Sequence, residues 1–114
     1  MKFEAQAQTL STVRMLLGSP VLERQKHVRW VLPSGVAVVA QKDNKSGRLG
    51  NVWVPDSARS RSLSCATVYP PGKGRHSALG RQVPGLTVGQ QAVVCKVRTL
   101  SHLRELSMLL QGLR

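Results

Sequence analysis

At 114 residues the chain has the length of one domain, enough for a single hydrophobic core and too little for two. Hydrophobic residues make up 41%, so the chain can fold without metal or crosslinks, and aromatic residues are only 4%, which weighs against a broad platform of rings for stacking bases. Seventeen Lys and Arg oppose five Asp and Glu, a formal charge of +12. A compact body so charged repels itself unless a polyanion is its usual neighbour, and phosphates are the densest anionic array such a protein meets.

Residues 3–17 read as a helix, with Phe3, Ala7, Leu10, Val13, Leu16 and Leu17 recurring at steps of three and four. Gly18-Ser19-Pro20 stops it, because glycine suits the position after a helix and proline cannot continue one. From His27 the period changes. Residues 27–32 are a β-type run, Pro33-Ser34-Gly35 a turn, and residues 36–40 a β-branched run of strand length. Residues 42–47 supply a second turn and 49–54 a third strand, so the three should form an antiparallel meander. Trp30 and Trp53 are expected half-buried on one face of this sheet, packed in the core or at its rim.

Residues 57–64, with Arg59 and Arg61, lack apolar period and read as a basic loop or one helical turn. Residues 65–69 read as a short fourth strand, followed by a Gly/Pro-rich basic loop over about residues 69–90. Gln91 to Arg98 is the last strand. Thr99 to Leu113 is a second amphipathic helix, capped by Thr99 or Ser101, with a stripe of Leu100, Leu103, Leu106, Leu109, Leu110 and Leu113. The expected fold is a single α+β domain over 1–114: an N-terminal helix, an antiparallel sheet of four to five strands, and a C-terminal amphipathic helix packed on it. The helix–strands–helix order is similar in topology to the double-stranded-RNA-binding domain. Here, though, the second helix opens Ser101-His102-Leu103-Arg104 without the lysine cluster of those domains, and the additional strands have no place in them.

The loop Tyr69 to Arg81 combines glycines, prolines and cations. It lacks the G-x-x-x-x-G-K-[ST] spacing of a phosphate-wrapping loop and the G-x-G-x-x-G of a dinucleotide fingerprint. What it offers is a Gly-Lys-Gly-Arg-His-Ser run in which Lys73, Arg75, His76, Ser77 and Arg81 can meet a phosphodiester, together with Arg59 and Arg61 of the preceding basic segment. His76 is the one candidate for catalysis, as a proton shuttle or nucleophile in a metal-independent phosphodiesterase.

Metal-dependent cleavage is disfavoured, because five carboxylates spread along the chain do not make a Mg²⁺ cluster. Pro55-Asp56 and Val94-Cys95-Lys96 depart from the Pro-Asp…(Asp/Glu)-x-Lys layout of restriction-type nucleases where Val94 replaces the second carboxylate. Cys65, Cys95, His27, His76 and His102 have no zinc spacing. No cofactor is expected.

The two cysteines, without a secretory leader, read as buried or free thiols in a reducing compartment, with a disulfide as the lesser alternative, and no apolar run approaches a membrane span; the expected location is the cytoplasm. The reading is a small basic nucleic-acid-binding protein, DNA or RNA, of phage or mobile-element type. The alternative partner is an acidic protein or ribonucleoprotein, and the leucine stripe leaves room for a homodimer seam.

Overall fold

The computed structural model describes residues 3–69 and 91–114. Helix α1 (Ala5–Leu17) leads into β1 (Leu22–Glu23), β2 (His27–Val31), β3 (Ala37–Gln41) and β4 (Gly50–Val54). A short helix α2 (Ala58–Arg61) precedes β5 (Ala66–Tyr69), β6 (Ala92–Val97) and the long helix α3 (Leu100–Leu113). The strands form one six-stranded antiparallel sheet in the order β1-β2-β3-β4-β6-β5. The α+β architecture matches the expectation, with six strands in place of four to five. The strand not anticipated is β1, whose 2 residues are too few to show a period. Among the described residues no helix is long and apolar enough to cross a membrane.

Strand alternation divides the sheet into two unlike faces. Val28, Trp30, Val38, Ala40, Val52, Val54, Val93, Cys95 and Val97 face the helices. There they join Val13 of α1 and Leu103, Leu106, Leu109 and Leu110 of α3 in the main core. Each fully buried Leu or Val of this set contributes roughly 1.5–3 kcal/mol. The residues between them, Ala37, Val39, Trp53, Ala92 and Val94, form a second buried cluster on the opposite face, with Tyr69 packed on it. Both tryptophans belong to the core at 2% exposure, and they lie on opposite faces of the sheet, not half-buried on one, because Trp30 and Trp53 fall at opposite phases of the strand alternation. Trp30 Nε1 donates to the Gly18 carbonyl at 2.8 Å and so ties the end of α1 to β2, and Trp53 Nε1 donates to Gln41 Oε1 at 2.7 Å.

Helix α1 is rotated relative to the stripe read from its sequence. Ala5, Thr9 and Val13 are its buried residues, and Ala7 is exposed. The cause lies in β4, where Gly50 has no side chain and Thr9 fills the space. A Cβ at Gly50 would stand 2.5 Å from Thr9 Oγ1, 2.8 Å from Thr9 Cβ and 3.0 Å from the Ala5 carbonyl oxygen. Gly50→Ala is therefore expected to push α1 off the sheet and destabilise the fold by about 1–3 kcal/mol, read as a lower urea midpoint. Gly50→Ala combined with Thr9→Ala should recover part of that loss, and a midpoint unchanged in the single variant would rule out this packing.

The segment read as a loop or single turn at 57–64 is a capped helical turn. Ser57 accepts from the Ser60 N–H at 3.0 Å, and the Ser60 hydroxyl accepts from the Ser57 N–H at 2.9 Å. Cys65, just before β5, and Cys95, in β6, are joined in a disulfide with Cα atoms 5.1 Å apart. This corrects the expectation of two thiols. The Lys96 N–H donates to the Cys65 carbonyl at 2.9 Å, holding the two chain segments in neighbouring register. Cysteine usage therefore gives no support to a reducing compartment.

Candidate nucleic-acid interface

In an antiparallel meander alternate turns emerge at the same end of the sheet. The pairings His27↔Gln41 and Val28↔Ala40 set the start of β2 beside the end of β3. Ala40↔Val52 and Gly50↔Val97 then bring the start of β4 and the end of β6 to the same level. Three connections thus share one end: the β1–β2 turn with Arg24 and Lys26, the β3–β4 loop with Lys42, Lys45 and Arg48, and the exit of β6 with Lys96 and Arg98. The β2–β3 turn at the other end, Pro33-Ser34-Gly35, carries no charge. Among the described residues, seven cations thus stand at this one end of the sheet.

The loops at this end are braced by backbone bonds. The Lys42 N–H donates to the Lys26 carbonyl at 2.7 Å, joining the first two connections, and the Gln6 N–H of α1 donates to the Gly47 carbonyl at 3.0 Å. Gly47 turns the β3–β4 loop at φ 70°, a left-handed conformation that a side chain would oppose. Lys45, Arg48, Arg24, Lys26 and Arg98 are exposed, and Lys96 is half-buried on the face opposite α1 and α3.

Two carboxylates stand at this end, Asp43 of the β3–β4 loop, which accepts from Gln41 Nε2 at 3.2 Å, and Glu23. Glu23 pairs with Arg14 at 2.6 Å and Lys42 at 3.3 Å. Hydrogen bonds from Arg14 and then Lys42 lower its pKa from 4.5 to about 2, and the Arg14 guanidinium is correspondingly raised. The single charge of Glu23 is thus shared between Arg14 and Lys42. Arg24, Lys26, Lys45, Arg48, Lys96 and Arg98 make no ion pair with any described residue.

Because the carboxylate pKa is depressed in the folded state, the stability Glu23 contributes is complete above pH 4.5 and lost as pH falls towards about 2. The difference in urea midpoint between wild type and Glu23→Gln should close over that window and shrink in high salt. A difference constant from neutral pH to pH 2 would show that Glu23 acts by packing instead.

On the face opposite α1 and α3, beside this end, His27, Gln41, Asn51 and Lys96 follow one another across β2, β3, β4 and β6. Arg29 lies one row inward, opposite Val39. Arg29 Nε and Asn51 Oδ1 are buried without a hydrogen-bond partner.

The predicted site residues fall elsewhere. Arg61 pairs with Asp56 at 3.3 Å and donates to the Ser57 carbonyl at 3.2 Å. Arg59 lies against Gly112 near the end of α3, where a Cβ would meet its Nη1 at 2.6 Å. Both stand on the helix side, beyond the end of β4 opposite the cationic loops, and neither joins that cluster. Lys73, Arg75, His76, Ser77 and Arg81, with the loop at about 69–90 that carries them, lie outside the described residues, apart from Tyr69 at the end of β5.

Of the remaining polar groups, Glu105 accepts from the N–H of Ser64 at 3.0 Å and from its hydroxyl, bonds that lower the Glu105 pKa and pin the approach to β5 on α3. His102 Nδ1 accepts from the Arg98 N–H at 3.1 Å, and Thr99 caps α3 by accepting from the His102 N–H at 3.2 Å. These bonds are structural. Among the described residues no three His, Cys, Asp or Glu side chains gather as a metal site. Of the loop cations, Lys42 and Lys45 fall in a turn read from the sequence, whereas Arg24, Lys26 and Arg48 have no role in that reading; the alternation of turns in a meander was the signal that could have grouped them. Compared with protein-family models, curated proteins and solved structures, the chain matches none, so its function has to be argued from this surface.

Proposed function

We propose that the protein is a small nucleic-acid-binding domain that grips the phosphate backbone at the cationic end of its sheet and catalyses no step there. One observation carries this reading: Arg24, Lys26, Lys45, Arg48, Lys96 and Arg98 come from separate stretches of sequence, converge on one end, and have no carboxylate partner among the described residues. Such a cluster is costly to hold together without polyanion, and each contact to phosphate releases a condensed counterion. The arginines can take a phosphate bidentately while the lysines act as point charges. A cytoplasmic location, with access to DNA or RNA, belongs to the same proposal.

The test is a salt titration of binding to a labelled oligonucleotide, followed by fluorescence anisotropy. With about six phosphates neutralised on duplex DNA, log K should fall with log[salt] at a slope near −5. No binding at low salt, or a flat titration, overturns the proposal. A partner pulled down equally well after nuclease treatment would instead favour an acidic protein.

A further inference from the structure

The cationic end contains a cleft of about 570 Å³ between the start of α1 and the β3–β4 loop. Its volume lies within the roughly 300–1,000 Å³ of small-molecule sites. One wall is apolar, formed by Phe3, Ala7 and Leu10, and the other carries Lys45 and Arg48. Phe3 and Leu10 pack against the main core, which fixes that wall in place. Ala7 is exposed and small, which leaves the space open.

The polar lining is biased towards donors. Gln6 Oε1 already accepts from the Asn44 N–H at 3.0 Å, and Asn44 Oδ1 accepts from the Ser46 hydroxyl at 2.7 Å. With both amide oxygens engaged, the NH₂ groups of Gln6 and Asn44 are left to meet a ligand's acceptors. The one carboxylate on the lining, Glu4, is exposed at the rim, where it can accept from an exocyclic amino group.

An apolar wall with one aromatic ring, facing two cations and free amide donors, is complementary to a base joined to a phosphate. We infer that this cleft seats one unpaired nucleotide of a single strand, its base against Phe3, Ala7 and Leu10 and its phosphate on Lys45 and Arg48. The inference rests on the nucleic-acid reading above and narrows it to strands with accessible bases. A base stacked and paired within a duplex cannot enter the cleft, although the duplex phosphates still reach the cations outside it.

The test compares three labelled probes at one salt concentration: a short mixed-sequence oligodeoxynucleotide, the same strand with abasic sites, and the blunt duplex. Wild-type protein should bind the base-bearing strand roughly fivefold or more tighter than the abasic strand, the scale of one base stacked on an aromatic ring. Ala7→Leu, which fills the cleft from an exposed helix position without adding a ring on which a base can stack, should remove the preference for the base-bearing strand over the abasic one. Equal wild-type affinity for the base-bearing and abasic strands overturns the cleft assignment alone, and needs no variant that might misfold. Failure of all three probes to bind overturns the nucleic-acid reading and this inference together.

Discussion

Replacing Lys26, Lys45 and Arg48 together by glutamine should weaken binding to an oligonucleotide roughly a hundredfold at low salt and reduce the steepness of the salt dependence by about 3. The exposed side chains of these residues come from two connections that the Lys42 to Lys26 backbone bond holds side by side. None has an ion-pair partner among the described residues, so their removal costs the fold little. The control removes the same amount of charge elsewhere, through Arg59→Gln, Arg61→Gln and Arg114→Gln. Arg61 is already paired with Asp56, and Arg114 Nη1 donates to the Leu16 carbonyl at 3.2 Å, on the helix side. If affinity follows net charge alone, the two triple variants weaken equally; if the cationic end is the interface, only the first does. A third variant, Lys73→Gln with Arg75→Gln and Arg81→Gln, measures the share of the Gly-rich stretch. A larger loss there than at Lys26, Lys45 and Arg48 would move the interface to that segment.

The gap between the residues singled out from sequence and those of the candidate interface has a physical cause. Helices α1 and α3 and strands β2, β3, β4 and β6 were legible because each buries one side and so carries a period. The grouping of cations depends on register. Arg24 and Arg98 are far apart in sequence and share an end only because β2, β3, β4 and β6 pair side by side. The burial of Thr9 in place of Ala7 likewise depends on Gly50 of another strand, which no helical period reports. Arg59 and Arg61 drew attention as a basic run without apolar period. The Ser57–Ser60 capping pair folds that run into a turn that directs Arg61 onto Asp56 and Arg59 onto α3. Local sequence showed which residues were charged, and tertiary pairing decided which remained without carboxylate partners.

Reducing the Cys65–Cys95 disulfide should lower the stability of the domain by about 3.5 kcal/mol, the chain-entropy value for a closed loop of this length. The crosslink spans 30 residues of sequence and joins the approach to the edge strand β5 with β6, its neighbour in the sheet. Cys95 is fully buried and Cys65 is 6% exposed, both within the main core, so reductant reaches the bond only through opening of the fold. Protein reduced in denaturant and refolded in reductant should therefore melt roughly 10–20 °C below the oxidised form, with mass spectrometry verifying the thiol count of each sample. The comparison keeps every side chain in place, which substitution by alanine would not. If both forms melt together, β5 is held by its ladder and by the Glu105 to Ser64 bonds without help from the crosslink. If the reduced form melts lower yet binds oligonucleotide with the same salt slope, the cationic end is independent of β5, as expected of a surface built on β1 to β4 and the exit of β6.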